Sequence, residues 1–529
     1  MTISGKTGKM SRRMATPELV TPARAHYVWR MPEPIGKEFV PPTPDVAATW
    51  ENVAELLGSA DFEERVLPAL LLRSRWFGGK AHPLRSVRVL EILPVGDSSA
   101  GRLALLEANY VDWPSEIYVL PLQLAPASAE IVTATIARLG GSVLFDALDD
   151  ETFRAALFEM VLHEKRVPSE HGEIFGIRGA PLIAAELALP LASRALATEQ
   201  SNSAIVYGGR FFMKLYRKPE AGENPDAELI RFLSERQKFA HVPAFCGAIE
   251  YRATNGESRT LALVVAQVPC EGDAWAYTLA SCEDEAYPER VRQLGQRTAE
   301  MHLALAADLA DPAFAPEPFT AQDRRDLCES AAAATQRTLR LLERKLADIP
   351  DAYRGDAAVL LTREDELLTR LSALAERDVI ATKTRHHGDY HLGQVLNTGS
   401  DFIIIDFEGE PARSLAERRM KRSPLRDVAG MLRSFHYAAH SAQPRRPREA
   451  AETWARNMSR IFLETWLATA KGASFIPENP DALKALLEVH LIEKAIYEVG
   501  YELNHRPDWV FIPVLGIAQI LTKGHVARA

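Results

Sequence analysis

Residues 385–411 read RHHGDYHLGQVLNTGSDFIIIDFEGEP: a turn, a short apolar piece, a second turn, then a strand from Phe402 to Ile405 that ends in Asp406. This pattern presents two acidic side chains, Asp389 and Asp406, at loop mouths. Phosphoryl transfer needs little covalent help from a protein. Its parts are a base that orients the attacking hydroxyl, oxygen ligands for Mg2+, and a lysine that holds phosphates.

The spacing supplies each part. In His387-Gly388-Asp389 followed by Gln394, acid and amide are five positions apart, the interval of the kinase loop H-R-D-x-x-x-x-N. Asp389 is therefore the expected base. Gln394 stands where Asn is usual and still offers a neutral amide oxygen to a hard cation. Asp406-Phe407-Glu408-Gly409 occupies the place of D-F-G, so Asp406 is expected to hold Mg2+ and Glu408 a second ion. Upstream, Lys214 lies in the β-patterned run FFMKLYR and Glu228 in the helix that follows; these two are expected to pair and to position the phosphates of ATP. Glu199 to Ser203 falls at a strand-turn-strand position, and Ser201, Asn202 and Ser203 are expected to cover the triphosphate, although no G-x-G-x-x-G is present. The run LALVVAQVPCEGD reads as the link between two lobes, with the backbone of Gln267, Val268 and Pro269 set against adenine. Each residue alone has a plain structural explanation as a turn, cap or edge residue. Their joint occurrence in this order favours a kinase.

Composition agrees with a folded enzyme. Hydrophobic residues make up 47% and charged residues 25% of 529 positions, which excludes disordered and collagen-like chains and predicts several packed units. A net charge of −9 without a basic stripe argues against nucleic acid as a partner. Four scattered cysteines fit reduced thiols in the cytoplasm. No run of 18 apolar residues occurs, so no membrane span is expected, and the basic start lacks the apolar stretch of a secretion signal.

Patterning along the chain divides it into four parts. Residues 1–50 read as an extension with a proline-rich linker. Residues 51–150 open with helical spacing and continue as the strands SVRVLEILPV, RLALLEANYV and EIYVLPLQL, a β-rich cap. Residues 151–272 hold a helical stretch and then strands and a helix in the order of a kinase N-lobe. Residues 273–529 are almost wholly helical, with a charged helical pair across 323–376. The expected fold class is α+β: a bilobal protein-kinase-like fold of the aminoglycoside phosphotransferase type with an N-terminal β-rich cap domain.

HHGDYHLGQVL and IIDFEGEP, preceded by RSRWFGGK and followed by YEVGYELNHRPDWVFIPVLGI, closely resemble the bacterial maltokinases, over about residues 55–525. The resemblance implies transfer of phosphate from ATP, with Mg2+, to the anomeric hydroxyl of maltose, giving maltose 1-phosphate for α-glucan synthesis. It also implies a link with trehalose synthase, to which relatives are sometimes fused. Independently, Lys494, Tyr497, Glu498 and Tyr501 fall at i, i+3, i+4 and i+7, placing two rings and two charges on one helical face. Sugars use flat apolar surfaces for their C–H faces and charged groups for their hydroxyls, so these four, with Arg506 beyond them and His391 beside the base, form the expected acceptor site. A buried helix whose polar groups pair with one another is the plain alternative. Kinases for an aminoglycoside, choline or another sugar remain rivals, as does a non-catalytic kinase-fold partner of a glucan-making enzyme. Arg426-Asp427 is expected to support the catalytic loop and Trp76 to Lys80 to pack the cap; His302, His386 and His436 are assigned no chemistry.

Overall fold

The computed structural model describes residues 40–96, 101–128, 134–196, 201–442 and 447–523. Most of the predicted 1–50 extension and residues Glu199 and Gln200 of the covering loop lie outside them.

The cap begins with the helix Trp50–Leu57, capped by the Thr49 hydroxyl, and the helix Leu67–Arg73. Five strands follow: β1 (Leu84–Pro94), β2 (Arg102–Tyr110), β3 (Glu116–Pro126), β4 (Thr135–Leu139) and β5 (Ser142–Asp146), in the order β1-β2-β3-β5-β4. One face of this antiparallel sheet buries Leu106, Tyr118 and Leu120 against the two helices. Val119, Leu103 and Leu105 belong instead to a core shared with the next unit, so both faces of the sheet are covered by protein.

The helix Glu151–Leu162 leads into a seven-stranded antiparallel sheet of β6 (Arg166–Pro168), β7 (Gly172–Arg178), β8 (Ser193–Ala195), β9 (Ser203–Tyr207), β10 (Phe211–Leu215), β11 (Phe245–Ala253) and β12 (Ser258–Ala266), ordered β6-β7-β11-β12-β10-β9-β8. Lys214 lies on β10, directly opposite Ala204 of β9. The helix Pro225–Arg231 starts at Asn224, whose side chain accepts the Asp226 N–H, and Pro225 occupies the first helical turn, where its missing N–H costs nothing.

After β12 the chain crosses through Gln267–Cys270 to the short strand Gly272–Asp273, which pairs with Val395–Asn397; that strand in turn pairs with Phe402–Ile404. The crossing segment thus ends on the small sheet that carries the Asp389 and Asp406 turns. Around it pack the helices Tyr287–Leu305, Leu425–Ser441, Arg448–Thr469 and Pro480–His505, through a core that includes Leu294, Phe435, Phe462, Trp466 and Ile496. The expected charged pair across 323–376 is three helices, Ala321–Arg344, Asp351–Leu361 and Glu364–Ser372. Among the described residues no helix is long and apolar enough to cross a membrane. The fold is a bilobal kinase-like α+β architecture with an N-terminal cap.

Candidate active site

The Asp389 turn and the Asp406 turn lie against each other. Gly388 has φ +89°, and a Cβ there would stand 3.1 Å from the Cα of Gly409, so the first turn needs glycine for its backbone conformation and for the close approach. His387 fills the space behind. Its ring packs on Phe407, its Nε2 donates to the Ile405 carbonyl at 2.9 Å, and its Nδ1 accepts the Asp389 N–H at 3.4 Å.

Beneath the turn, Asp427 accepts the N–H groups of His387 (2.7 Å) and Gly388 (2.9 Å) and the Nε2–H of His302 (3.0 Å). The Trp466 indole donates to Nδ1 of the same histidine at 3.0 Å, which fixes its tautomer. Burial opposes ionisation of Asp427, but the hydrogen bond from His302, with the neighbouring imidazoles, outweighs it and holds the carboxyl below its usual range. Sequence reading placed Asp427 correctly as a support and missed His302, which lies 125 residues away.

Asp406 carries a left-handed backbone, φ +70°, uncommon for any residue but glycine and tolerated by a short polar side chain. The turn aims its carboxylate at Lys214, with Oδ1 2.5 Å from Nζ. Lys214 also pairs with Glu408, and with Asp226 at 2.9 Å. This corrects an expectation: the partner of Lys214 on the following helix is Asp226, whereas Glu228 binds Arg385 at 2.6 Å and Arg419 at 2.8 Å. Asp226 also accepts the Phe407 N–H at 2.8 Å and the Tyr216 hydroxyl at 3.3 Å, so one buried carboxylate ties the lysine strand to the Asp406 turn.

The carboxylates of Asp226, Asp406 and Glu408 offer oxygens within 4.8 Å of one another. Three negative groups around one ammonium leave an excess of negative charge. Burial, with Asp406 and Asp226 nearby, holds the Glu408 carboxyl above its usual range despite Lys214. Such an oxygen-rich, electron-rich cluster fits a hard divalent cation. Gln394 stands beside it, its carbonyl accepting the Ile405 N–H at 3.0 Å. From the N-lobe, Asn202 donates to Glu408 at 2.8 Å. Ser201 is exposed, and the Ser203 hydroxyl is taken by Arg217 at 2.7 Å rather than turned toward the acids. The crossing segment carries Gln267, Val268 and Pro269, with the Gln267 N–H bonded to the Arg210 carbonyl at 2.8 Å.

On the other side of Asp389, Lys494 approaches its carboxylate at 3.0 Å and Glu410 at 3.3 Å. Burial disfavours its charge, yet Asp389 and Glu410 reverse that and hold the ammonium well above its usual range. Glu410 continues to Arg426 and Arg413, each at 2.8 Å, and these reach Glu493 at 2.9 and 3.1 Å. Burial works against ionisation of Glu410 too, but Arg426, Lys494 and Arg413 bring its carboxyl down to about 2. Asp389, Lys494, Glu410, Arg426 and Glu493 thus form an alternating row of charge, buried at Glu410 and partly exposed elsewhere.

Along the same helix Tyr497, 38% exposed, lies 5.0 Å from the Lys494 ammonium and stacks with Tyr501 at 6.5 Å between centroids; Tyr501 stacks with His505 at 4.5 Å. Arg506 pairs with Glu502 at 2.7 Å and lies 4.6 Å over the Trp509 ring, closing the far end. Glu498 departs from expectation: it is buried and bound to Arg433 at 2.7 Å, inside the helix bundle rather than on the aromatic face. His391 caps the turn before Gln394, its Nδ1 accepting the Gly393 N–H at 3.0 Å, and burial lowers its pKa to about 4.

Residues 71–150 match the maltokinase N-terminal cap domain family. A glucosamine kinase from Streptacidiphilus jiangxiensis is 27% identical over 344 residues, which is 62% of this chain and 74% of that protein. A glucosamine kinase from Mycolicibacterium smegmatis is 26% identical over 347 residues, covering 63% of this chain and 80% of that one. Among solved structures, a glucosamine kinase in complex with glucosamine, ADP and inorganic phosphate superposes with a TM-score of 0.61 at 21% identity over 90% of this chain and all of that one. A second crystal form of glucosamine kinase gives 0.62 at 22% identity over 89% of this chain and 99% of that one. The chain thus joins a cap of the maltokinase type, which includes Trp76 to Lys80, to lobes that share the kinase-like fold of the glucosamine kinases.

Proposed function

We propose that this kinase transfers the γ-phosphoryl group of ATP to a sugar hydroxyl, and that the sugar is maltose, phosphorylated at its anomeric position to give maltose 1-phosphate and ADP for α-glucan synthesis in the cytoplasm. The observation that carries the reading is Lys494: one ammonium joins the base Asp389 to the helix face bearing Tyr497 and Tyr501. A sugar stacked on those rings has a hydroxyl beside the base. The association with trehalose synthase belongs to this reading, through the maltokinase-type cap.

Adenine lies against the backbone of Gln267 to Pro269, and Lys214, positioned by Asp226, holds the phosphates. Asp406 and Glu408, with Gln394 beside them, would hold Mg2+, which when bound neutralises phosphate charge. Asp389 accepts the proton of the acceptor hydroxyl as its oxygen bonds to phosphorus and the bond to ADP breaks. Lys494 keeps a positive charge beside Asp389 throughout. Asp406→Asn is expected to raise the Mg2+ concentration required for half-maximal rate by about tenfold or more, because one anionic ligand is lost; an unchanged metal titration would remove Asp406 from this role.

The relatives at 26–27% identity support a second reading, glucosamine as acceptor. A panel of maltose, glucosamine, glucose, choline and an aminoglycoside, followed by ADP release, separates the two. Tyr501→Ala gives a sharper test. It is expected to raise KM for maltose by about tenfold, equivalent to about 1.4 kcal/mol of uniform binding, with KM for ATP little changed. Glucose should be the poorer wild-type substrate, since it lacks the second ring that positions the first. Equal use of glucose and maltose, or equal effects of Tyr501→Ala on both substrates, would overturn the maltose assignment.

A further inference from the structure

Between the Asp406 turn and the helix Leu425–Ser441 the chain reads PARSLAERRMKRSP, residues 411–424, rich in basic side chains. Ser414 and Glu417 form a capping box, each side chain bonded to the backbone N–H of the other, so Leu415–Arg419 makes a short helix with Arg418 and Arg419 at its end. Both arginines reach across to the N-lobe. Arg418, its side chain 6% exposed, donates to the Glu408 carbonyl at 2.9 Å and pairs with Glu220. Its methylenes lie on Gly409, where a Cβ would stand 3.3 Å from Cγ. Glu220 in return accepts the Leu415 N–H at 3.1 Å. Arg419 donates to the Glu223 carbonyl at 3.1 Å and pairs with Glu228 at 2.8 Å, and the same carboxylate of Glu228 binds Arg385, from just before the Asp389 turn, at 2.6 Å.

Glu220 and Glu223 lie between β10 and the helix Pro225–Arg231, and Glu228 lies on that helix. The two segments approach so closely that a Cβ at Gly222, whose φ is +112°, would stand 2.9 Å from Leu415 Cδ2. Asp226, two positions before Glu228, holds Lys214 and the Phe407 N–H on the other side of the helix. The helix is thus gripped from both sides, by two arginines at Glu228 and by the lysine strand and the Asp406 turn at Asp226. The side chains of Arg385 and Glu228 are 3% and 6% exposed, so solvent and salt screen this pair far less than a surface pair.

We infer that Arg418 and Arg419 are positioning residues that latch the two lobes together and thereby set the carboxylate cluster around Lys214. Arg418 fixes the backbone of Glu408, and Arg419, with Arg385, fixes the helix that presents Asp226 to Lys214. This rests on the nucleotide and metal reading above. Neither arginine touches a substrate; each acts through an acid or a carbonyl that it holds. Closure of the lobes and assembly of the cluster are therefore one event. A lysine at 419 keeps a charge beside Glu228 but cannot bridge it to the Glu223 carbonyl as the guanidinium does.

The test uses Arg418→Gln, Arg419→Gln, Arg419→Lys, Glu228→Gln and the double variant of Arg419→Gln with Glu228→Gln, all in the full chain. Calorimetric titration with ATP and Mg2+ is expected to show about fivefold to tenfold weaker binding for Arg418→Gln, Arg419→Gln and Glu228→Gln, an intermediate loss for Arg419→Lys, and no further loss for the double variant beyond Glu228→Gln, because both changes break the same link. KM for the sugar acceptor should be unchanged throughout. Amide exchange without ligand should be faster over residues 225–231 in Arg419→Gln and over residues 406–409 in Arg418→Gln. Multiplying effects in the double variant would show that Arg419 and Glu228 act separately and would overturn the inference, as would a lowered melting temperature with unchanged ATP affinity and unchanged exchange. Should the wild type bind no ATP, the functional reading fails, and the exchange measurement alone decides whether the arginines hold the helix and the Asp406 turn. Should Glu228→Gln fail to fold, Arg419→Gln carries the test, with faster exchange and weaker ATP binding expected and wild-type values for both overturning the inference.

Discussion

Asp389→Asn is expected to lower kcat by about two to four orders of magnitude while leaving ATP affinity within about twofold of the wild type, the usual worth of a positioned general base. The change is nearly isosteric, and the backbone N–H of Asp389 keeps its bond to His387. What disappears is the carboxylate proposed to accept the hydroxyl proton and one of the two carboxylates that face Lys494. Glu410 stays to hold the lysine, so the acceptor helix should remain in place. Stopped assays of ADP formation, with calorimetry for ATP, measure both quantities. Turnover above a tenth of the wild-type value would remove Asp389 from the role of base.

Asp427→Ala should cost about 3 kcal/mol or more of stability and lower kcat as well, although the side chain touches no substrate. Three donors, the N–H groups of His387 and Gly388 and the imidazole of His302, lose their acceptor in a site closed to water. The sign of the pH dependence follows from the depressed carboxyl of Asp427. Its ionised form is favoured in the folded state, so its contribution is complete above the unfolded carboxyl value of about 3.9 and is lost as pH falls through the folded value. Denaturation of wild type and variant should therefore differ most near neutral pH and converge in acid. A difference that stays constant as pH falls well below the unfolded carboxyl value would show that Asp427 stabilises the loop by shape and not by charge.

The Asp389 turn, the strand before Asp406 and the lysine strand were legible in the sequence because their signals are local: fixed spacing, turn residues and alternation within a few positions. The choice between Asp226 and Glu228 was not. Two positions along a helix turn a side chain through about 200°, and only the packing of that helix decides which acid meets β10 and which meets Arg385. Glu498 illustrates a related limit. Its spacing puts it on the face of Lys494 and Tyr501, but Arg433 from a neighbouring helix draws it inward. The contacts of His302 with Asp427 and of Arg217 with Val119 join residues 125 and 98 positions apart, and nothing in either neighbourhood announces the other.

The alternating charges from Asp389 to Glu493 bear on how acceptor preference is inherited. Glu493 and Lys494 sit on the helix that also carries Tyr497 and Tyr501, while Glu410, Arg413 and Arg426 come from the segment after the Asp406 turn. Transplanting the aromatic helix alone from a kinase with a different acceptor would remove Glu493 and Lys494 together, leaving Arg413 and Arg426 to share Glu410 and Asp389 without the Lys494 ammonium. Under the proposed sugar reading the acceptor helix therefore works with a second part, residues 410–426, and a chimera that moves residues 480–509 without it should lose stability as well as change its substrate.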